Sequence, residues 1–206
     1  MFLSSRFDQA LLYASHLHRT QIRKGSGIPY LTHLLGVASL VLSHGGDEDM
    51  GIAALLHDSL EDGPEYAGIP RSEIEEAIQT QFGERVLEMV LACTDTDATG
   101  KRESWQQRKT RYLQHMATAT DPGYLLVTGC DKLHNLHAIW LDQNTLGDSV
   151  WQRFTAPKDA SLWYYQEIGK ILADQAQRGR IPIILNQQFQ VLLEQVLAVA
   201  LAPVGG

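Results

Sequence analysis

Apolar residues recur every three or four positions across nearly the whole of this chain, and the alternation that marks a strand is scarce. The segments "FDQALLYASHLH", "YLTHLLGVASLVLSH" and "PGYLLVTGCDKLHNLHAIWLDQN" all carry that spacing. It winds one apolar stripe along a helix, and helices striped in this way bury the stripe against one another. The expectation is an all-α, single-domain helical bundle of roughly ten helices. Punctuation fits: Ser72 stands as N-cap of "SEIEEAIQTQF" and Gly83 closes it, and Pro29 and Gly45–Gly46 bracket a helix of about four turns. Gly147 and Pro157 break the C-terminal third.

No longer repeat is present, and 206 residues suffice to bury a core without a disulfide or structural metal. Residues 1–178 are therefore read as one domain. Residues 179–206 hold one more amphipathic helix, "IPIILNQQFQVLLEQVLAVAL", expected to pack on the same domain; the alternative is the seam of a homodimer.

Seventeen Lys and Arg against twenty-four Asp and Glu give a formal charge of −7, which argues against a broad nucleic-acid surface. An anionic ligand must then be met by a small local pocket. Cys93 and Cys130 are too few for a disulfide framework and lie in apolar runs, which fits a reducing, cytoplasmic setting. The N-terminus lacks the form of an export signal, and no segment approaches eighteen uninterrupted apolar residues, so no membrane is expected.

Against this apolar background, "LLHDSLED" at 55–62 packs His57, Asp58, Glu61 and Asp62 onto the end of an apolar segment. Ionisable groups there are costly unless compensated. Within a helix, His57 and Glu61 stand one turn apart, as do Asp58 and Asp62. An adjacent imidazole and carboxylate near a helix end can both reach one divalent ion, and the pair one turn later can hydrogen-bond the water on it. His33, mid-helix on an apolar segment, and Asp131, interrupting "LLVTGC", complete the set. Singly each has an ordinary explanation as a core histidine, a cap or a solvated helix end. Together they form a nitrogen and oxygen shell without thiolate, suited to Mn, Fe or a similar ion rather than to a closed zinc site. "DTDATGKRESWQ" from Asp95 fits a calcium loop poorly and reads as a mobile acidic loop; of His134 and His137, one supports the shell and the other packs.

The ordered stretches "RKGSGIPYLTHLLGVA", "LLHDSLEDG" and "DKLHNL" resemble the HD-domain metal-dependent phosphohydrolases. More narrowly they are similar to the hydrolase domain of the RelA/SpoT alarmone enzymes and their small single-domain relatives, over about residues 8 to 170. The resemblance implies that His33, His57, Asp58 and Asp131 are metal ligands, typically for Mn²⁺, and that Glu61 and Asp62 flank the attacking water. It also implies that Arg23 and Lys24 lie near the nucleotide and that Asn135 faces the ribose. Lys109, Lys158 and Tyr164 fall where small relatives place groups near phosphates or base, although a Trp-Tyr-Tyr run at this spacing is more often helix core.

The implied reaction is hydrolysis of guanosine 3′,5′-bispyrophosphate at the 3′ ester, releasing pyrophosphate. The alternatives are a deoxynucleotidase, an NADPH phosphatase or a nucleotide-binding sensor without turnover. Two positions depart from the alarmone pattern: Gly63 stands where Thr often follows the acidic pair, and Cys130 precedes Asp131 in place of Ala.

Overall fold

The computed structural model describes residues 2–95 and 103–202. Among them are ten α-helices, a 3-10 turn and a single isolated β-bridge, Ile22 with Pro29, so the all-helical expectation is met. They form two compact units.

The first unit holds residues 1–101 and 121–131. Its helices are α1 (Ser5–Leu17), α2 (Leu31–Ser43), α3 (Glu48–Leu56), α4 (Ser59–Ala67), α5 (Arg71–Phe82) and α6 (Glu84–Cys93), with the start of α8 (Pro122–Leu146). The centre is α3, which packs against α1, α2 and α6. Its residues 52–56 are Ile, Ala, Ala, Leu and Leu, all fully buried. A helix apolar all round belongs in the middle, and the two alanines permit close approach by its neighbours. Asp47 caps α3 by accepting the Met50 N–H at 3.0 Å. Arg6 and Arg85 then tie Glu48, Asp47 and Asp49 to α1 and α6 by ion pairs.

The second unit holds residues 102–120 and 132–206, with α7 (Trp105–Thr118), the rest of α8, the 3-10 turn Gly147–Arg153, α9 (Lys158–Gln177) and α10 (Ile183–Ala200). Both α7 and α10 pack on α9. The fully buried Gln175 donates to the carbonyls of Met116 and Ala117, both at 3.1 Å, which satisfies the exposed end of α7. Eighteen residues with mean hydropathy 1.2 make α10 the one described helix long and apolar enough to cross a membrane. It is amphipathic: Leu185, Phe189, Leu192, Leu193 and Val196 are buried, and Asn186, Gln187, Gln188, Gln190 and Glu194 interrupt the apolar run.

Two sequence expectations shift, and a third lies largely outside the described residues. The helix after Pro70 begins at Arg71 with Pro70 itself in the cap position, so Ser72 lies inside the first turn; the fixed proline φ, here −55°, already sets the entry. His33 lies in the first turn of α2 rather than mid-helix, and Pro29 stands just before that helix, its carbonyl accepting from Thr32 N–H. The loop reading for 95–106 falls largely on residues 96–102, outside those described.

Candidate metal centre

"LLHDSLED" is not one helix. The helix α3 stops at Leu56, and α4 starts at Ser59, so His57 and Asp58 form the junction. Asp58 occupies the N-cap slot of α4, where an Asp side chain ordinarily accepts a backbone N–H of its own first turn. Here it makes no such bond. Its Oδ2 instead lies 3.1 Å from His57 Nε2 and 3.7 Å from His33 Nε2, and accepts the Tyr30 hydroxyl at 2.5 Å. Breaking the helix at this point turns the carboxylate out of its cap and toward the imidazoles. The expected one-turn relation survives for the second pair, since the Asp62 N–H donates to the Asp58 carbonyl at 3.0 Å.

His57 is 2% exposed, and its Nδ1 lies 2.7 Å from the Ala54 carbonyl. A carbonyl only accepts, so Nδ1 carries the hydrogen and the Nε2 lone pair faces the cluster. That buried Nε2 makes no hydrogen bond among the described residues. His33, 1% exposed, meets the His57 ring edge-on with centroids 5.2 Å apart. From α8, the buried Asp131 brings Oδ1 to 3.2 Å from His33 Nε2 and 3.6 Å from His57 Nε2.

Lone pairs and carboxylate oxygens at this spacing repel unless a proton or a cation lies between them. The electrostatics agree. Burial lowers the pKa of His57, yet Asp58 and then Asp131 more than offset it and raise it well above the ordinary imidazole value. Burial works against ionising Asp58, but His57 holds its carboxyl far below the usual range. His33 is lowered by burial, with Asp131 opposing. The group calls for positive charge, and its donors are two nitrogens and carboxylate oxygens, with the Nε2 of His57 already aimed inward. His33, His57 and Asp58 offer ligand atoms all within 4.8 Å of one another, and Asp131 stands beside them. These residues fit a divalent cation. Cys130, next to Asp131, is a buried thiol whose pKa burial pushes far up, so it supplies no thiolate.

The acidic pair sits on the first turn of α4. Glu61 accepts the backbone N–H of Asp95, and Asp62 Oδ2 accepts from Gln21 Nε2 at 2.7 Å. Burial, and then the Asp58 carboxylate, raise the Asp62 pKa despite that hydrogen bond. In the same unit, the turn from Arg23 to Tyr30 is closed by the Arg23 N–H on the Ile28 carbonyl at 2.8 Å, with Gly25 and Gly27 both at φ 70°. The Arg23 guanidinium lies 5.9 Å from the Tyr30 ring centroid, and Lys24 is exposed.

The remaining sequence candidates belong to the second unit. Asn135 is half-buried, one turn beyond Asp131 on α8. Lys109 Nζ lies 5.1 Å from the Tyr164 ring centroid, Tyr164 is 6% exposed, and Lys158 pairs with Asp148 at 2.7 Å. His18, Gln21 and Tyr30 are site residues that the sequence reading missed. Tyr30 lies inside a quoted motif three residues before His33, whereas nothing in the local pattern marks the other two.

The HD domain family matches residues 10–157. Over 138 residues the chain is 36% identical to the guanosine-3′,5′-bis(diphosphate) 3′-pyrophosphohydrolase of Aquifex aeolicus, covering 67% of this chain and 18% of that one. Over 131 residues it is 35% identical to the mouse enzyme of that name, MESH1, covering 62% of this chain and 66% of the relative. The chain thus spans just under two thirds of the small relative and under a fifth of the long one. Its fold is similar to that of a metazoan ortholog of SpoT described as hydrolysing ppGpp, with TM-score 0.69, 23% identity and 96% of each chain covered. With His57 and Asp58 adjacent at a helix junction, flanked by His33 and Asp131, the chain belongs to the HD domain family.

Proposed function

We propose that the protein is a metal-dependent phosphohydrolase of a nucleotide, and that its substrate is guanosine 3′,5′-bispyrophosphate. The observation that carries this reading is the convergence of His33, His57, Asp58 and Asp131 with an acidic pair one turn further along α4. The names of the Aquifex and mouse relatives support the choice of substrate.

The four residues would hold the cation, taken here as Mn²⁺. When bound, it lowers the pKa of water from about 15.7 toward about 7 and polarises a phosphoryl oxygen. Tyr30, whose burial and Asp58 contact keep its phenol protonated, steadies the Asp58 carboxylate through its O–H. Glu61 accepts the proton of the attacking water. Asp62, whose pKa is raised, keeps a proton more readily than an ordinary carboxyl and gives it to the departing 3′ oxygen. Water adds to phosphorus and the 3′ C–O–P linkage breaks on the phosphorus side, yielding a 3′ hydroxyl and pyrophosphate. Arg23 and Lys24 offset substrate charge that a −7 protein repels, and Asn135 contacts the ribose. Lys109, Lys158 and Tyr164 are carried as candidate contacts to phosphates or base. A homodimer through the exposed apolar residues of α10, Ile183 and Val191 among them, belongs to the same reading.

The test is a screen of purified, Mn²⁺-loaded protein against guanosine tetraphosphate, NADPH and deoxynucleoside monophosphates, with Asp58→Ala as control. Release of pyrophosphate from the first at a rate far above the control supports the reading. Turnover of NADPH or a deoxynucleotide alone transfers the site to that substrate, and no turnover above the control ends the hydrolase reading.

A further inference from the structure

Two buried polar residues outside the cation cluster are joined by consecutive hydrogen bonds to Asp62 of the acidic pair. His18, 2% exposed, ends α1, and Gln21, 6% exposed, follows in the turn beyond. His18 Nδ1 lies 2.6 Å from Gln21 Oε1, and Gln21 Nε2 lies 2.7 Å from Asp62 Oδ2. The Gln21 backbone is fixed at both ends: its N–H donates to the His18 carbonyl at 3.1 Å, and its carbonyl accepts from Tyr30 N–H at 2.9 Å. The His18 ring stacks on Tyr30, with centroids 5.5 Å apart and planes 23° apart, and the Tyr30 hydroxyl is bound to Asp58.

The direction of these hydrogen bonds follows from the chemistry of their ends. Asp62 Oδ2 accepts whether the group is ionised or protonated on Oδ1, so the Gln21 amide turns its N–H toward Asp62 and its oxygen toward His18. An amide oxygen only accepts, so His18 must carry its hydrogen on Nδ1. That arrangement leaves Nε2 of His18, a buried atom, with no hydrogen-bond partner among the described residues. Burying an amide and an imidazole in a helical core costs stability unless their polar atoms are used, and an apolar side chain would fill the same volume more cheaply. Here both amide atoms are spent on orienting one carboxylate oxygen. Among the described residues Asp62 is engaged through Oδ2 only, which leaves Oδ1 to exchange a proton.

We propose that His18 and Gln21 are positioning residues: Gln21 holds Asp62 by Oδ2 in its working orientation, and His18, braced on the Tyr30 ring, locks the Gln21 amide. This rests on the hydrolase reading for its catalytic consequence, but not for its geometry.

Kinetics and spectroscopy test the two separately. Gln21→Met and Gln21→Glu each remove the donor to Asp62 at similar volume. Both are expected to lower kcat by about ten- to a hundredfold, the worth of a hydrogen bond to a charged group, with KM changed less than about threefold. His18→Leu should lower kcat as well, and His18→Asn, whose amide N–H stands where Nδ1–H does, should restore most of it. Mn²⁺ affinity by calorimetry is expected to stay near wild type in all four. Nitrogen-15 NMR of metal-free protein should show His18 as the Nδ1–H tautomer in wild type and lose that preference in Gln21→Met. Folded Gln21 variants with wild-type kcat, or His18→Asn no better than His18→Leu, overturn the proposal. If wild type turns over no nucleotide, the hydrolase reading fails and the tautomer decides: Nδ1–H supports the arm, and Nε2–H overturns it.

Discussion

The hydroxyl of Tyr30 lies 2.5 Å from Oδ2 of Asp58, the same oxygen that faces His57 Nε2 at 3.1 Å. A phenol outside the proposed ligand set thus fixes the rotation of a carboxylate proposed to hold the cation. Partners of this kind typically contribute 10- to 100-fold in metal affinity or activity. Tyr30→Phe keeps the ring under His18 and removes only the O–H. It is expected to weaken Mn²⁺ binding by about tenfold or more in calorimetry, with little change in melting temperature. Unchanged affinity would show that the Tyr30 hydroxyl does not set the Asp58 carboxylate for the cation.

Removing the cation should leave a less stable protein rather than an indifferent one, because a ligand bound only by the folded state adds to its stability. Without it, proton uptake by His57 is left to balance the carboxylates of Asp58 and Asp131. A ligand present at 100 times its Kd adds about 2.7 kcal/mol to folding stability. Chelated protein is expected to melt lower and to recover on adding Mn²⁺. In His57→Ala the recovery should be largely lost, and an equal gain in that variant would place the binding elsewhere.

The raised pKa of Asp62 has a sign that can be read in stability. The folded state binds this proton more tightly than the unfolded chain, so keeping Asp62 ionised costs stability at neutral pH. The cost is relieved as pH falls through the raised folded value toward the ordinary carboxylate range. Asp62→Asn mimics the protonated form and can still accept from Gln21. It should melt above wild type at neutral pH, lose that advantage in acid, and lose activity throughout. A melting difference that does not narrow with falling pH would contradict this assignment.

Gly63 marks the departure from the alarmone pattern, and the structure shows what occupies the space. A Cβ there would lie 2.7 Å from Ile74 Cδ1 and 3.7 Å from Leu17 Cδ2, in the packing of α4 on α5 and α1. Gly63→Thr is expected to destabilise by about 1–3 kcal/mol, and Ile74→Val in the same chain to recover part of the loss. Chemical denaturation of the two single variants and the double variant measures the coupling. No recovery would mean that the strain lies elsewhere.

The helical architecture was legible because it is written in repetition: a three- to four-residue apolar period survives in every long segment. The cation cluster was legible for the opposite reason, since His33, His57, Asp58 and Asp131 violate that period by placing ionisable groups where apolar ones belong. The break between α3 and α4 was not, because "LLHDSLED" has no glycine or proline at 57–58 to announce it; tertiary demands on the Asp58 carboxylate override a locally helical sequence. His18, Gln21 and Tyr30 escaped because neutral polar residues around a turn look solvated, and only the long-range contacts at 41 and 28 positions' separation reveal their use.

Glu61 and Asp62 are adjacent in the chain yet anchored by different kinds of partner. Glu61 is held by the main-chain N–H of Asp95, a donor that every residue except proline supplies. Asp62 depends on the side chains of Gln21 and, behind it, His18. Drift at position 95 is therefore tolerated for this purpose, while any of many single-base changes at 18 or 21 loosens the second carboxylate. Of the two neighbouring acids, the one proposed to protonate the leaving group thus has an anchor that a side-chain substitution can remove.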